Sequence, residues 1–360
     1  MIIQKKDLLN SLKMAMPGIE SGTATLQGAD SFVFHDGRIF SYNDSISVSI
    51  PLSSAGLVED NIEGAVKADE FYKVISKFAG EEINFVVNEN KSWVLKCGKA
   101  KVEMTLIDFD YETRLKGIQP SDDWVEINED FISGLGICRM SVNKTPLSGI
   151  YVNGKNIVST DGFQINKYQM KENELPCFWL SDNSVSDLLK VSGLKFVQLQ
   201  GNWVHFKSED GVIFSAKVLN VANFPYDKVI RILDTSNPKE DDLHAYFPKE
   251  LFSAIDRATS FSIDISEHSA IRLNLSKEHI EVSSERTSGK YTEKVAWDTE
   301  VGDFEPITVY VDSTMMAYSG DRSLEFYLIK GAIKNGKTIP RLLFTTEQSV
   351  HLMSTFDNAD

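Results

Sequence analysis

The side chains that most often bind metals or transfer protons are scattered along this 360-residue sequence. No histidine or cysteine stands at a metal-ligand spacing from another histidine or cysteine. The adjacent residues Asp241 and Asp242 lie in a polar segment, where solvated charges are the ordinary interpretation. The sequence therefore predicts no metal site and no cofactor. The histidines and cysteines are His35, His205, His244, His268, His279, His351, Cys97, Cys138 and Cys177.

Motifs that carry catalytic chemistry are also absent from the sequence. The chain has no Walker-type phosphate loop, no HExxH zinc motif and no GxSxG nucleophile motif. The segment Gly134-Leu135-Gly136 lacks the third glycine of a dinucleotide fingerprint and falls inside a helix pattern, so we interpret it as packing. We therefore predict that the protein is not an enzyme. The alternative is an enzyme built on repeated α+β units, which would need a cleft with convergent titratable groups.

Composition and charge limit the remaining classes. Hydrophobic residues make up 42% of the chain and charged residues 25%, as in ordinary globular domains. No apolar run approaches the roughly 20 residues that span a bilayer, so we expect no membrane association. Three distant cysteines favour a reducing, cytoplasmic location. The net charge of −15 argues against a surface covered with phosphate contacts, so DNA binding would depend on local groups of Lys and Arg.

One amphipathic helix pattern occurs three times, at near-equal thirds of the chain. In each copy, apolar residues stand at positions i, i+1 and i+4, and the acidic residue before them suits a helix N-terminus. A second helix pattern follows in the first two thirds, and its third counterpart, around 312–316, is short. The three copies are Asp7 with Leu8, Leu9 and Leu12, then Asp130 with Phe131, Ile132 and Leu135, and then Glu250 with Leu251, Phe252 and Ile255.

Between these helices the pattern changes to the two-residue period of strands, as at Ile271, Leu273 and Leu275. Turn dipeptides such as Asp-Gly and Asn-Gly separate the strands and permit tight hairpins. Polar segments that contain proline, at 114–123 and 234–242, indicate linkers. These features predict an α+β fold with three domains, which span residues 1–121, 122–242 and 243–360.

Four stretches of the sequence resemble the bacterial β sliding clamp, the processivity factor of replicative DNA polymerase. Their order and spacing, together with the threefold repeat, extend the resemblance over the whole chain. The resemblance implies three repeated DNA-clamp domains and a head-to-tail homodimer that closes a ring, with helices lining the interior and antiparallel sheets outside. The stretches are Thr145–Val152 (TPLSGIYV), Val158–Met170 (VSTDGFQINKYQM), Phe224–Ile230 (FPYDKVI) and Leu251–Ser262 (LFSAIDRATSFS).

For function, the resemblance implies a ring that encircles double-stranded DNA without sequence preference and tethers the replicative polymerase for processive synthesis. The polymerase and the clamp loader are the implied partners, and each would dock through a short apolar peptide. The alternative is a clamp-like scaffold that binds replication or repair factors without encircling DNA.

The resemblance places cationic residues of the helices in the ring interior, where weak attraction to phosphate permits sliding. Charged residues also decorate any solvated helix, and that interpretation stays open for each lysine taken alone. The predicted DNA-contacting residues are Lys5, Lys6, Lys13, Lys67, Lys73, Lys77, Arg139, Lys144, Lys190, Lys249 and Arg257.

The resemblance also implies a peptide-docking pocket between the second and third domains. An apolar groove with a few polar groups suits a peptide anchor, and Met353 would add an adaptable wall. The apolar members are equally typical of a plain core. Phe163-Gln164 stands where the family usually has His-Arg, and the tail 354–360 is longer and more polar than usual, so a different peptide is expected. The predicted pocket residues are Leu147, Thr160, Gly162, Phe163, Gln164, Ile165, Pro225, Lys228, Val229, His351, Met353 and Ser354.

Ring closure in the family joins the first domain of one chain to the third domain of the next, by edge-strand pairing and a small apolar cluster. The matching strand here is 99–106, with Val102 and Met104 pointing inward, and its partner includes Ser260 and Phe261. We call this contact between two chains the seam. Because Ser260 replaces an apolar residue, we expect the seam to be weaker here than in the family. An ordinary solvent-facing strand is the alternative interpretation of this segment.

Overall fold

The computed structural model describes residues 1–360 except 23, 25, 59–61, 89–91, 140–146, 173, 266–267, 321–322, 332, 335–336 and 357–360. Helices and antiparallel strands alternate along the chain, so the predicted α+β class is confirmed. Contacts between residues group the chain into two compact units. Unit 1 contains Met1–Ile132 and Leu175–Val221, and unit 2 contains Ser133–Glu174 and Ala222–Asp360.

The order of elements recurs three times, and each copy runs strand, helix, three-strand meander, strand, helix, three-strand meander. The first copy contains β1 (Ile2–Gln4), α1 (Lys5–Ala15), β2 (Ser31–His35), β3 (Arg38–Tyr42), β4 (Ile46–Pro51), β5 (Gly64–Lys67), α2 (Ala68–Lys77), β6 (Glu82–Asn88), β7 (Ser92–Cys97) and β8 (Ala100–Thr105), and α3 (Tyr111–Lys116) follows it.

The second copy contains β9 (Val125–Glu126), α4 (Glu129–Arg139), β10 (Ile150–Gly154), β11 (Asn156–Thr160), β12 (Gln164–Gln169), β13 (Leu175–Leu180), α5 (Asp182–Leu188), β14 (Leu194–Gln200), β15 (Trp203–Ser208) and β16 (Ile213–Lys217), and α6 (Tyr226–Asp234) follows it. Short 3-10 helices occupy Met16–Gly18, Leu52–Ala55, Val221–Asn223 and Thr259–Phe261.

The third copy has one inserted strand, β18, and one inserted hairpin, β24–β25. It contains β17 (Leu243–Tyr246), α7 (Glu250–Ala258), β18 (Ile263–Ile265), β19 (His268–Leu275), β20 (His279–Arg286), β21 (Gly289–Ala296), β22 (Ile307–Asp312), α8 (Ser313–Gly320), β23 (Glu325–Ile329), β24 (Ile333–Lys334), β25 (Lys337–Thr338), β26 (Arg341–Thr345) and β27 (Ser349–Ser354).

The first helix of each copy is the one that the repeated sequence pattern predicts. In α7, Leu251, Ala254, Ile255 and Ala258 recur every three or four residues and are buried on one face. Glu250 lies in the first turn, where a negative charge is favourable beside the free N–H groups. The weak third counterpart of the second helix is also helical, because α8 begins within the segment 312–316.

Unit 1 contains two sheets with the strand orders β5-β2-β3-β4-β16-β15-β14-β9 and β1-β6-β7-β8. The side chain of Trp93 on β7 is fully buried, and its ring centroid lies 4.7 Å from that of Phe34 and 6.1 Å from that of Phe71. Phe34 lies on β2 and Phe71 lies on α2. This aromatic cluster therefore packs both sheets and a helix into one core.

Unit 2 contains a run of seven strands in the order β10-β11-β12-β27-β26-β23-β17. In a second sheet, β19 pairs with β18, β20 and β22, and β20 pairs with β21. Phe247 is 1% exposed, and its ring stacks on that of Phe326 with 3.7 Å between centroids. The same hydrophobic core contains Leu251 and Ile255 of α7 and Met315 of α8.

The long sheets join neighbouring copies of the repeat. In unit 1, β4 of the first copy pairs antiparallel with β16 of the second, and in unit 2, β12 of the second copy pairs antiparallel with β27 of the third. The corresponding strands of the remaining junction are β21 and β8. Within the part of the chain that the structure describes, β8 pairs only with β7, and β21 pairs only with β20. Both strands therefore present an open edge.

Candidate functional site

Nine of the twelve predicted pocket residues surround one cavity of about 140 Å³ in unit 2. The cavity lies between the turn that joins β11 to β12, helix α6 and the last strand, β27. Nonpolar carbon makes up most of its wall. The nine residues are Leu147, Thr160, Gly162, Phe163, Ile165, Pro225, Lys228, Val229 and Ser354.

The turn between β11 and β12 is fixed by its own side chains. The hydroxyl of Thr160 donates to the carbonyl of Gln164 at 2.7 Å, and the Asp161 carboxylate accepts from the backbone N–H groups of Phe163 and Gln164 at 2.9 Å each. Gly162 has a φ of 93°, which favours glycine. The turn therefore holds Phe163 at the cavity with 37% of its surface exposed.

Helix α6 begins just after Pro225, a residue that suits a helix start because it lacks an N–H donor. The ring of Tyr151 on β10 stacks on Phe224 at 4.5 Å and on Tyr226 at 5.2 Å, and these contacts hold the helix N-terminus against the sheet. One turn later, Val229 is only 3% exposed at the cavity wall. The sequence stretch FPYDKVI therefore positions one apolar wall of the cavity.

Three predicted pocket residues, Gln164, His351 and Met353, do not line the cavity. The amide of Gln164 donates to Asp161 at 2.8 Å and its carbonyl lies 3.0 Å from His351 Nε2, while His351 Nδ1 lies 2.7 Å from Ser319 Oγ. This buried polar network supports the turn from behind. Met353 is fully buried in the core that contains α7 and α8, so the prediction that it forms an adaptable pocket wall is wrong.

The structure adds Ile232, Arg341 and Leu352 to the cavity wall. Ile232 lies one helical turn after Val229 on α6, and Leu352 pairs with Ile165 across the β12–β27 ladder. Helical and strand spacing could have identified these two residues from the sequence. Arg341 stands at the start of β26, and no sequence signal associates it with the cavity.

The predicted DNA-contacting cations fall into two groups. Four of them pair with acids, so their charge is partly neutralised. The ion pairs are Lys67 with Asp30, Lys73 with Asp69 (3.6 Å), Lys190 with Asp187 (2.6 Å) and Arg257 with Glu293 (2.7 Å).

The other described cations differ in their exposure and contacts. Lys6, Lys13 and Lys77 are exposed and form no ion pair with any residue that the structure describes. Lys5 donates to the backbone carbonyl of Phe78. Lys249 is exposed just before α7, and Arg139 is half-buried at the end of α4. Lys144 lies outside the described residues.

Three of these lysines are not in the helices that the sequence analysis assigned to them. Lys249 immediately precedes α7. Lys67 is the last residue of β5 and immediately precedes α2. Lys190 lies in the turn after α5, where the helix has already ended. All three assignments extended a helical pattern one or two residues beyond an end of the helix.

The pairing of β8 with β7 determines which backbone groups of β8 point towards its open edge. A two-residue loop joins β7 to β8, with Cys97 paired to Ala100. A two-residue hairpin closes on a hydrogen-bonded pair, and such pairs alternate along an antiparallel ladder. The backbone N–H and C=O groups of Lys101, Glu103 and Thr105 therefore point away from β7, towards the open edge.

The predicted apolar residues of this strand face inward. Val102 is half-buried and pairs with Leu95, and Met104 is 8% exposed and pairs with the buried Trp93. Their side chains cover the rim of the unit 1 core, while their backbone groups bond to β7.

The second open edge, β21, has the same construction. Arg286 pairs with Gly289 across a two-residue loop, so the backbone groups of Lys290, Thr292 and Lys294 point outward. A Cβ at Gly289 would lie 2.6 Å from the ring of Phe261, so only glycine allows the ring to cover the start of this strand. Phe261 is half-buried there, and Ser260 is exposed.

No group of three or more His, Cys, Asp or Glu residues in the described part of the chain could hold a metal ion. In the same residues, no helix has the length and apolar character needed to cross a membrane.

Comparisons with known proteins identify the fold. No protein-family model and no curated protein matches the chain. Among solved structures, the DNA polymerase III beta chain of Streptococcus pneumoniae has a TM-score of 0.78 and 17% identity, covering 99% of each chain. The DNA polymerase sliding clamp of Bacillus subtilis has a TM-score of 0.76 and 18% identity, covering 99% of this chain and 98% of that one.

A β sliding clamp from Caulobacter crescentus has a TM-score of 0.78 and 13% identity, again covering 99% of each chain. All three likenesses extend over nearly the whole chain, and all three identities are too low to show more than the fold. The chain therefore has the DNA-clamp fold of the bacterial DNA polymerase III β sliding clamps, as its sequence resemblance predicts.

Proposed function

We propose that this protein is a non-enzymatic DNA sliding clamp that encircles duplex DNA as a head-to-tail homodimer and tethers a replicative polymerase. Each chain would contribute three domains, with residues 1–121, 122–242 and 243–360. The paired helices of the three copies would line the channel. The absence of a disulfide among the three cysteines supports the cytoplasmic location that the sequence predicts.

The observation that carries this proposal is the pair of open edges on β8 and β21. Two junctions between copies of the repeat are made within the chain, by β4 with β16 and by β12 with β27. The third junction would need β21 and β8, and neither edge is paired in the described residues. Pairing β8 of one chain with β21 of a second chain would make this third junction. Two such junctions between two chains close a ring.

Charge on the β21 edge favours this heterologous pairing over self-pairing. If the β21 edges of two chains paired antiparallel about Thr292, Lys290 of one chain would face Lys294 of the other. Like charges directly opposite each other are unfavourable. The β8 edge presents Glu103 beside Lys101. A pairing between the two different edges can therefore place a carboxylate opposite a lysine.

Topological linkage makes strong DNA contacts unnecessary. Exposed lysines such as Lys6, Lys13 and Lys77 supply a weak, sequence-independent attraction to phosphate, which allows the ring to slide. The net charge of −15 is compatible with this function, because acids on the outer surface do not contact the DNA.

The cavity between α6 and β27 is the proposed docking site for the polymerase and the clamp loader. Its volume of about 140 Å³ is close to that of an engineered apolar cavity of about 150 Å³ that holds benzene. One leucine or phenylalanine side chain of a partner peptide therefore fits as an anchor.

Sedimentation equilibrium of the full chain tests the assembly. We expect a species of twice the 40.4 kDa of one chain at micromolar concentration, because two seams close together and each reinforces the other. A monomer at that concentration would contradict the ring. It would favour the alternative of a scaffold that binds replication factors without encircling DNA, an alternative that the ion pairs of Lys67, Lys190 and Arg257 also support.

A further inference from the structure

A cavity of about 180 Å³ in unit 1 plays no part in the proposed function. Its floor is formed by side chains of β3, β4 and β16, and its roof is the segment 115–120, where the chain leaves α3 and continues towards the second copy of the repeat. The repeat counterpart of the docking cavity is a different hollow, which lies beside Asp110 and Thr113 at the start of α3. The cavity under segment 115–120 is therefore a separate site, and we call it the connector cavity.

The sheet under the connector cavity is polar where the equivalent part of the sheet in unit 2 is apolar. Ser47 on β4 pairs with Ser215 on β16, which pairs with His205 on β15, and all three side chains are buried. Burying such polar groups is unfavourable without compensating hydrogen bonds. The hydroxyls at this cavity are therefore not a requirement of the fold, because the same sheet forms in unit 2 with an apolar row. The residues at the same register positions in unit 2 are Ile165, Leu352 and Leu343.

Arg38 on β3 brings a positive charge to this floor. Its Nε donates to the Ser49 hydroxyl at 2.5 Å, and one terminal nitrogen donates to the backbone carbonyls of Gly211 at 2.6 Å and Ser49 at 3.2 Å. Among the described residues, the second terminal nitrogen has no hydrogen-bond partner and the guanidinium has no ion-pair partner. Burial lowers the pKa of Arg38, because desolvation disfavours its charged form. A half-buried charge without a counterion beside a cavity favours an anionic ligand.

Ser49 supplies a second donor next to the guanidinium. Its oxygen accepts from Arg38 Nε, and its own O–H group has no acceptor among the described residues. Because Arg38 and Ser49 both line the cavity, a carboxylate can accept from the hydroxyl with one oxygen and from the free terminal nitrogen with the other. Phe40 in the floor and Leu115 and Ile118 in the roof add apolar surface. The cavity therefore combines an anion site with apolar walls.

We propose that the connector cavity binds a small carboxylate whose apolar group is about the size of a benzene ring. Arg38 and Ser49 hold the carboxylate, and the apolar group packs against Phe40 and Leu115. The size follows from the volume of the cavity, because an engineered apolar cavity of about 150 Å³ holds benzene. The carboxylate can belong to a free small molecule or to the last residue of a peptide, since a guanidinium recognises both in the same way. This proposal is independent of the ring and of the docking role.

Asp36 provides a test of the charge requirement, because it is the one acid among the described residues that line the cavity. Its side chain is exposed, and its negative charge acts on Arg38 without forming an ion pair in the described part of the chain. Asp36→Asn removes this charge and keeps the backbone, because asparagine tolerates the φ of 47° at this position. The variant should bind a carboxylate about threefold more tightly and a neutral amide with unchanged affinity.

Saturation-transfer difference NMR with the full chain tests the proposal. The probes are phenylacetate, then phenylacetamide, which has the same shape without the charge, and the peptide Gly-Gly-Phe, which carries its carboxylate at a chain end. We expect phenylacetate to bind with a dissociation constant of about 1 mM. It should bind about tenfold more tightly than the amide, which lacks the charge-assisted hydrogen bond. Binding of the peptide that is tighter than that of phenylacetate would identify a chain end as the source of the carboxylate.

Two substitutions locate the carboxylate. Arg38→Gln should reduce the preference for phenylacetate over the amide to about twofold, because it removes the positive charge. Arg114→Gln is the matched control, because Arg114 is an exposed cation on α3 that does not line the connector cavity. It should keep the full preference. Urea denaturation of each variant checks that it is folded.

Equal binding of phenylacetate and phenylacetamide to the wild-type protein, or binding of neither, would overturn the proposal. A preference that Arg38→Gln retains in full would also overturn it. If Arg38→Gln does not fold, Asp36→Asn decides, and an unchanged affinity of that variant for phenylacetate would overturn the proposal. These measurements involve neither the ring nor the docking cavity, so their failure leaves the proposed function intact.

Discussion

A chain in which proline replaces Glu103 will be monomeric under conditions where the wild-type protein is a dimer. Glu103 lies in the middle of β8, and its backbone N–H points towards the open edge. Proline removes this donor and leaves a carbonyl of the partner strand unsatisfied, which costs about 2 kcal/mol. Because the ring has two seams, the total is about 4 kcal/mol, close to a thousandfold in the dimer dissociation constant.

Glu103→Ala is the matched control for this variant. Both substitutions remove the carboxylate that accepts a hydrogen bond from the Ser92 hydroxyl at 2.9 Å. Only proline removes the backbone donor. Sedimentation of the alanine variant should therefore show a dimer within a fewfold of wild-type affinity. If the proline variant also remains a dimer with unchanged affinity, β8 is not the seam.

The stability of this protein will fall by about 3 kcal/mol between pH 6.5 and pH 4 because of one buried histidine. His205 on β15 is fully buried, and burial lowers its pKa to about 4. Its Nδ1 lies 2.7 Å from the Ser215 hydroxyl, and its Nε2 has no hydrogen-bond partner among the described residues. The folded state therefore accommodates the neutral imidazole, and protonation would place an unpaired charge in the core.

The direction of the pH effect follows from the two pKa values. In the unfolded chain, His205 takes up a proton near pH 6.5, while the folded chain does so only near pH 4. Between these values the unfolded state binds more protons, so the free energy of unfolding decreases as the pH falls. This contribution is constant above and below the window.

His205→Asn isolates the contribution of this residue. The asparagine amide can still bond to Ser215 but does not titrate. Ion pairs lower the pKa of some carboxylates, such as Asp30 and Glu293, and protonation of these groups at low pH also decreases the stability of the protein. This contribution is the same in the wild-type protein and in the variant. Urea denaturation at several pH values should show a smaller decrease for the variant. An identical pH profile for both proteins would contradict the assignment.

The fold could be predicted from the sequence because the pattern of hydrophobic residues repeats three times along the chain. The helices α1, α4 and α7 share one spacing of apolar residues. That spacing can be recognised in this sequence alone. Helix α8 was less evident because its segment, STMMAYSG, has apolar residues without a clear amphipathic period. The tertiary core around Met315 and Met316 stabilises this helix instead.

The sequence analysis named nine of the twelve residues that line the cavity. Along β27, Leu352 and Ser354 face the cavity, whereas His351 and Met353 face the interior. Alternation along a strand makes this split inevitable, and the sequence does not reveal which face meets the cavity. Arg341 could not be predicted, because it is brought to the cavity by the pairing of β26 with β27 and of β27 with β12, and β12 lies far from β27 in the sequence.

Retention on circular DNA tests most directly whether two copies of this chain enclose a duplex. The protein is loaded onto a nicked plasmid with its clamp loader and ATP and isolated by gel filtration, and half of the sample is then cut once with a restriction enzyme. The ring predicts that the protein stays on the circle and leaves the linear DNA through its free ends. Equal amounts bound to the circular and the linear DNA would contradict it.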